Sequence, residues 1–535
     1  MIKLPLPYIR IEEKDINFRR KGVPEAGSRT YFLPFILTVI VLILLGRLFQ
    51  LTIVRGSYYK NVAENNRIRE IAIKGDRADI VDRMGLVVAS SKNGTRNYVN
   101  GDANAHYIGY IQSADKTDLN QDACKHKLRG SDVIGKKGIE KVYECSLRPI
   151  NGKRLVEVNA REKQIKTLSL IPPVKQADLR IALDSYLQQK AYEIALASKD
   201  AAGKKVSIIA TKPATGEVVL MLSIPTFSPD AFVTQDNQKI KSYLKDTSHP
   251  LFNRVLQAAY PPGSVFKTTI AAGALEEKKI DEKYIVNDEG SIKAGSLSFG
   301  NWYFLQYGKT EGPVNVVKAL KRSNDIFFYK IGALLGDQAM KKWAEKFGYG
   351  QKSGILMSEE VTGSIPSAFW KKEVLNENWY LGDTYNMSIG QGYTQVTPLQ
   401  VNMANAVFAN GGNLCKPKLL YQEKPECTSV DLESKTIELI QEGMKQACAT
   451  GGTGWPFFEF GIKRNGKTEK IPIGCKTGTA ESHALSGLPH AWMTAFGPFE
   501  KPEIIVTVMV EESGEGSTVA GPIARDIMKA YFERN

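Results

Sequence analysis

Ser264 and Lys267, in Tyr260-Pro-Pro-Gly-Ser-Val-Phe-Lys-Thr-Thr269, have the types and spacing for acyl-transfer chemistry. A hydroxyl is a weak nucleophile until a base takes its proton, and a lysine can be that base only while its amine is neutral. On a helix, positions i and i+3 share a face, so the two side chains can touch. The neighbours predict such a helix. Pro261 and Pro262 cannot continue an upstream ladder, Gly263 permits a tight approach, and Ile270–Glu277 has good helix-forming composition despite Gly273. Ser264 then sits at a helix N-terminus, where free N–H groups and the dipole favour a developing anion. Burial of Lys267 among Val265, Phe266 and Ile270 lowers its affinity for a proton. By itself, a Ser-x-x-Lys on an ordinary surface helix reads the same way.

Two further stretches carry polar residues at telling spacings. In Lys321-Arg-Ser323-Asn324-Asp325 a Ser-x-Asp triplet stands at an expected loop-to-helix junction, where Ser323 or Asp325 could equally cap the helix. In Ile473-Gly-Cys-Lys476-Thr477-Gly478-Thr479 a lysine and two hydroxyls lie on an expected strand, with Gly478 letting a ligand's backbone come close. Alternation along a strand puts Lys476 and Thr477 on opposite faces, so pattern alone does not show how both reach one ligand. No metal site or other cofactor is expected. The six cysteines (Cys124, Cys145, Cys415, Cys427, Cys448, Cys475) form no C-x-x-C pair, and the five histidines are scattered. Neither a G-x-S-x-G elbow nor a Walker loop occurs.

The elements that must position these residues follow from the chain in order. Its 535 residues are enough for two or three domains, and 43% hydrophobic with 24% charged residues is the balance of a folded protein. The net charge of +14 is spread without dense basic runs, which fits an anionic membrane surface or polymer but not a nucleic-acid module. Residues 1–30 are polar and carry seven basic residues against four acidic ones. Residues 31–54 are apolar apart from Arg47, which lies near enough to the end to reach the interface. This predicts one transmembrane helix, with a cytoplasmic tail over 1–30 and the rest outside. Disulfides are then possible, Cys124–Cys145 and Cys415–Cys427 being the nearest pairs. Residues 55–176 read as an irregular, mostly-β spacer ending near Ile171-Pro-Pro-Val-Lys. From 177 to 535 come a strand at Leu179–Leu183, a helix at Ser185–Leu196 and a hairpin around Ala214-Thr-Gly. Helices follow at Val314–Leu320, Asp325–Leu335, Asp337–Phe347, Pro398–Ala409 and Thr436–Ala447, then three strands and a last helix. That order predicts a multi-domain α+β fold, with one antiparallel sheet flanked by helices and a helical subdomain.

Together, Ser264-x-x-Lys267, Ser323-x-Asp325 and Lys476-Thr477-Gly478 resemble the motif set of penicillin-binding proteins and serine β-lactamases. Asn65-Asn-Arg-Ile-Arg, Ile80-Val-Asp-Arg-Met-Gly, Gly138-Ile-Glu-Lys-Val-Tyr, Phe347-Gly-Tyr-Gly and Thr397-Pro-Leu-Gln extend the resemblance to the class B penicillin-binding proteins. Trp379–Tyr393 is closer to the elongation type, penicillin-binding protein 2, than to the division type. The resemblance implies a D,D-transpeptidase that cross-links peptidoglycan stem peptides through an acyl-enzyme on Ser264, formed at a D-Ala-D-Ala terminus. It makes Lys267 the base, Ser323 and Lys476 the relay to the leaving D-alanine, and Lys476, Thr477 and Thr479 the holders of the substrate carboxylate. Gly478 belongs to the same substrate-binding set, and the backbone N–H groups of Ser264 and Thr479 form the oxyanion hole. Asp325 departs from the pattern, since most relatives carry Asn there; its carboxylate is expected to pair with Lys267, with Asn324 as the alternative. The implied partners are stem peptides, β-lactams as covalent inhibitors, a polytopic membrane glycosyltransferase and other cell-wall elongation proteins. A division-type enzyme and a catalytically weak scaffold of the same fold are the competing readings. A β-lactamase would need neither anchor nor spacer, and a bifunctional class A enzyme would need a glycosyltransferase domain of roughly 200 residues ahead of the Ser264 domain, for which the spacer is too small.

Overall fold

The computed structural model describes residues 32–130, 132–159, 161–464, 466–482 and 486–534. The tail expected over residues 1–30 lies outside the described residues. The chain divides into two compact units, the smaller comprising the chain through Ala72 together with Lys153–Ile171. Its first helix, α1 (Phe32–Phe49), runs into a π turn at Gln50–Val54. Phe32–Val54 is an apolar stretch of 23 residues with mean hydropathy 2.5 and nothing buried, the one helix among the described residues long and apolar enough to cross a membrane. Arg47 donates to Gln50 Oε1 at 2.6 Å, so its charge is partnered within the helix end. Helix α2 (Gly56–Arg67) follows, then a sheet of β1 (Ile68–Ile73), β2 (Gly152–Val158) and β3 (Gln164–Ile171) in that order.

The larger unit takes Ile73–Gly152 and the chain from Pro172 on. Short strands at Ile80–Val81, Val87–Lys92 and Thr95–Tyr98 join Leu179–Arg180 in a four-stranded sheet. Ile80, Val88, Tyr98, Ile139 and Leu147 share one apolar core with Ile181, Leu183, Ile209 and Val218. Charges are buried beside it: Glu140 accepts from Arg77 Nε at 2.6 Å and Arg96 Nε at 2.7 Å, and Glu144 accepts from Arg77 and Arg148. Such groups survive without water only because each carboxylate meets two guanidinium groups. The Cys124–Cys145 disulfide closes this segment.

The remaining elements follow in chain order. Asp184 caps α3 (Ser185–Ala197), accepting from Leu187 N at 3.0 Å. The hairpin β4 (Val206–Thr211) and β5 (Val218–Ile224) comes next, then a 3₁₀ turn at Gly263–Phe266 leading into α4 (Lys267–Glu276). A ribbon of β6 (Val286–Asp288) and β7 (Gly312–Val314) precedes α5 (Val316–Arg322) and α6 (Asp325–Lys346). Helix α7 (Pro398–Ala409), every residue of it buried, and α8 (Ser434–Ala447) complete the helical part. The chain closes with β8 (Gly474–Ala480), β9 (His490–Gly497), β10 (Ile504–Val510) and α9 (Ala520–Arg534). The five long strands form one antiparallel sheet in the order β5-β4-β10-β9-β8, which leaves β8 at an edge. Helices α3 and α9 share an apolar core with one face, and α4, α6 and α7 build the other.

Several expectations shift by a residue or two, each for a local reason. The strand expected at Leu179–Leu183 is regular only over Leu179–Arg180, after which Ile181 makes a single bridge to Leu420. The helix expected from Val314 begins at Val316, because Val314 pairs in the ribbon and Asn315 caps by accepting from Lys318 N. The two helices expected either side of Gly336 form one element with a break there, where the glycine takes φ +75°. Around Pro398 the capping box is as expected, Thr397 N to Gln400 Oε1 at 3.0 Å and Gln400 N to Thr397 Oγ1 at 3.2 Å.

Candidate active site

The turn that carries Ser264 is set by glycine. Gly263 adopts φ +56°, and a Cβ there would come within 2.7 Å of Thr479 O. The turn therefore sits directly against the edge strand β8. Ser264 occupies a 3₁₀ turn rather than the α-helix the sequence predicts, and Lys267, three residues on, opens α4. In this first turn the serine's own N–H has no intrahelical acceptor. Gly390 O accepts from Gly263 N at 2.9 Å, and Gln391 bridges the edge strand, donating to Thr479 O and accepting from Glu481 N, both at 3.2 Å. The stretch Trp379–Tyr393 thus earns its place structurally by cradling the turn.

Lys267 is fully buried in α4. Its Nζ donates to Ser323 O at 2.9 Å and to Asp325 Oδ1 at 2.6 Å. Burial lowers its proton affinity and Asp325 raises it; burial wins, so the amine titrates below an ordinary lysine. Asp325, not Asn324, is therefore the partner of the lysine. The cap of α6 is neither Ser323 nor Asp325, as the sequence suggested, but Asn324, whose Oδ1 accepts from Phe327 N at 2.9 Å. Ser323 sits in the left-handed region, φ 52° and ψ 37°, an uncommon place for a residue with a Cβ. From there its carbonyl accepts from Lys267 and its hydroxyl from Lys476 Nζ, at 2.8 Å.

On β8 the alternation holds and resolves the difficulty it raised. Thr477 and Thr479 line the cavity with Ser264, Ser323 and Asp325. Lys476 is fully buried on the packed side, and its amine reaches Ser323 Oγ and Thr477 O from there. Burial, then the nearby Lys267, hold its proton affinity well below the usual lysine range. Gly478 requires a correction: it does not make room for a ligand. A Cβ on it would stand 3.0 Å from Pro262 O, Val265 Cγ1 and Trp492 Cβ, so its bareness lets the turn carrying Ser264 dock on the strand. Thr479 O points off the sheet edge towards Gln391, and in an antiparallel strand its N–H points the same way.

The cavity holds about 880 Å³, with Phe299, Trp302, Tyr307 and Trp455 on its walls. Thr453, on the loop after α8, shares a hydrogen bond of 2.8 Å with the Thr477 hydroxyl. That loop is fastened to β8 by a third disulfide, Cys448–Cys475, beside Lys476; the two nearest-neighbour pairs, Cys124–Cys145 and Cys415–Cys427, are present as well. Sequence reasoning missed Thr453, Gln391 and this disulfide. The signals available were Cys475 next to Lys476 and the place of Gln391 inside Trp379–Tyr393.

Residues 206–529 match the family model of the penicillin binding protein transpeptidase domain, and residues 88–181 that of the penicillin-binding protein dimerisation domain. The chain is 30% identical over 513 residues to the peptidoglycan D,D-transpeptidase MrdA of Escherichia coli K12, covering 88% of this chain and 78% of that protein. It is similar in structure to a penicillin-binding protein (PBP2) solved in complex with MreC from Helicobacter pylori, with TM-score 0.74 and 25% identity over 87% of this chain and 99% of that one. A chain of a peptidoglycan synthase complex that coordinates polymerization and crosslinking aligns with TM-score 0.75 and 26% identity, over 95% and 99% of the two chains.

Proposed function

The chain belongs to the penicillin-binding protein transpeptidases, of the penicillin-binding protein 2 type, and from that premise we propose how its residues carry out D,D-transpeptidation. The observation that carries the reading is the meeting of two buried lysines on one serine motif, Lys267 at the Ser323 carbonyl and Lys476 at the Ser323 hydroxyl. Ser264 Oγ attacks the carbonyl of the terminal D-Ala-D-Ala bond and gives its proton to Lys267. The oxyanion is held by the N–H groups of Ser264 and Thr479. As the C–N bond breaks, the departing D-alanine nitrogen takes a proton from Ser323, which Lys476 restores. The substrate carboxylate lies against the Thr477 and Thr479 hydroxyls with the Lys476 amine behind them. The amine of a second stem peptide then attacks the Ser264 ester, forming the cross-link and freeing the serine. β-Lactams enter the same path and stop at the ester.

The same premise extends to setting. Residues 31–54 anchor the protein in the cytoplasmic membrane, residues 55–176 serve as the pedestal and 177–535 as the transpeptidase domain. Residues 1–30 face the cytoplasm and the cavity the outside. Likeness to the complexes with MreC and with a peptidoglycan synthase supports a polytopic glycosyltransferase and other elongation proteins as partners. The test is labelling of intact cells with a fluorescent penicillin that does not cross the cytoplasmic membrane. The unaltered chain is expected to label and Ser264→Ala to stay dark. Equal labelling of both would overturn the mechanism, and labelling only after lysis the orientation. Depletion should round a rod-shaped cell; filaments instead would point to division.

A further inference from the structure

Behind the second motif lies a buried carboxylate that the proposed chemistry does not use. Asp288, at the end of β6, is 1% exposed. Its charge is held by N–H donors: Gly290 N at 2.8 Å on Oδ1, and Asn301 Nδ2 at 2.7 Å, Asn324 Nδ2 at 2.8 Å and Glu311 N at 3.1 Å on Oδ2. Burying an anion is costly unless donors are well aimed, and here they are. Two of them lead to the motif. Asn301 Oδ1 accepts from Asp325 N at 3.2 Å, and Asn324 Oδ1 accepts from Phe327 N at 2.9 Å. Both asparagines are fully buried. A carboxamide has a donor end and an acceptor end. The anion fixes which is which, because only the nitrogen can face Asp288, so the oxygen must face the first turn of α6. Asp325 continues the chain, accepting from Trp302 N at 3.0 Å on one oxygen and from Lys267 on the other. Trp302 follows Asn301, so one short segment holds both the backbone and the carboxylate of Asp325.

We propose that Asp288 is a positioning residue for acylation: it sets the amide orientation of Asn301 and Asn324, and through them the place of Asp325 and of the Lys267 amine beside Ser264. The inference rests on the transpeptidase reading, which gives that amine its proton to take. It separates rate from folding. A prop for the fold changes how many molecules are active, whereas a positioning residue changes how fast each active molecule reacts.

The experiment uses the full-length protein in detergent with a fluorescent penicillin, taking the active fraction from endpoint labelling and the rate constant from its approach. Asp288→Ala frees both amides and is expected to slow acylation about 30-fold per active molecule. Asp288→Asn can keep its oxygen on the three-donor side, losing only the Gly290 bond, and should stay within about threefold of the unaltered chain. Asn301→Ala should fall about tenfold, and the double variant D288A/N301A should be no slower than D288A, since both act through one chain of bonds. If D288A labels a smaller fraction at the unaltered rate constant, Asp288 merely props the ribbon and the inference fails. Should D288A not accumulate, an unaltered rate constant for N301A overturns it equally. Failure of the unaltered chain to label at all would overturn the transpeptidase reading together with this one.

Discussion

Gly478→Ala is expected to slow acylation of Ser264 while the protein stays folded. The added methyl would lie 3.0 Å from Trp492 Cβ, Pro262 O and Val265 Cγ1, where carbon contacts settle near 3.5–4.0 Å. Relief of about half an ångström or more is needed. Trp492 cannot supply it, because it pairs with Gly478 across β8 and β9, is fully buried, and donates its indole N–H to Pro261 O. The turn carrying Ser264 must give instead, which draws the Ser264 N–H away from that of Thr479. Overpacking of this size costs about 1–3 kcal/mol of stability. Losing one oxyanion donor altogether costs about 10²–10³ in rate, so a half-ångström opening should cost about 10- to 100-fold. The assay is the second-order rate constant for a fluorescent penicillin, beside a thermal melt. An alanine variant that melts lower but acylates at the unaltered rate would refute the reasoning, since the gap between turn and strand would then not set the oxyanion geometry.

Three other predictions test the charges and the tethers. Asp325→Asn removes the charge that raises the proton affinity of Lys267, so the amine becomes neutral at lower pH. The acid limb of the acylation profile should therefore move to lower pH, while the plateau falls about tenfold because the new N–H₂ group opposes Trp302 N–H; a limb that moves to higher pH would sink the pairing. Removing Cys448–Cys475, which spans 27 residues, should cost about 3.5 kcal/mol by loop entropy and also slow acylation by freeing the Thr453 loop from β8. The Cys415–Cys427 pair, spanning 12 residues, should cost about 3 kcal/mol and leave acylation per active molecule unchanged.

How much of this was legible beforehand differs by element, for physical reasons. Helix α7 could be read to the residue, because its cap, its proline and its apolar run are all local. The turn that brings Ser264 to the start of the Lys267 helix was legible for the same reason. What joins the motifs was not. Asp325 and Lys267 are 58 positions apart, and Lys476 and Ser323 are 153 apart, so only tertiary packing brings their bonds into being. Gly478 was misread because a bare position looks the same in sequence whether it spares a ligand or a neighbouring turn. Asn324 was passed over as a cap because Ser323 and Asp325 are equally good cappers, and the left-handed backbone that rules Ser323 out does not show in its side-chain type. Buried Asp288 reads as one acid among 57 acidic residues until its four donors are seen.

The bond between Cys448 and Cys475 gives this chain a sense of timing. An enzyme with a nucleophile, a base and a relay assembled by packing alone is armed once it folds. Here the edge strand bearing Lys476 and Thr477 is also riveted to the loop bearing Thr453, and such rivets close only where the surroundings are oxidising. On the proposed orientation, the newly made chain still facing the cytoplasm has that tether open, with the strand loose on one side. Passage through the membrane would then do more than deliver the enzyme to its substrate: it would finish making it.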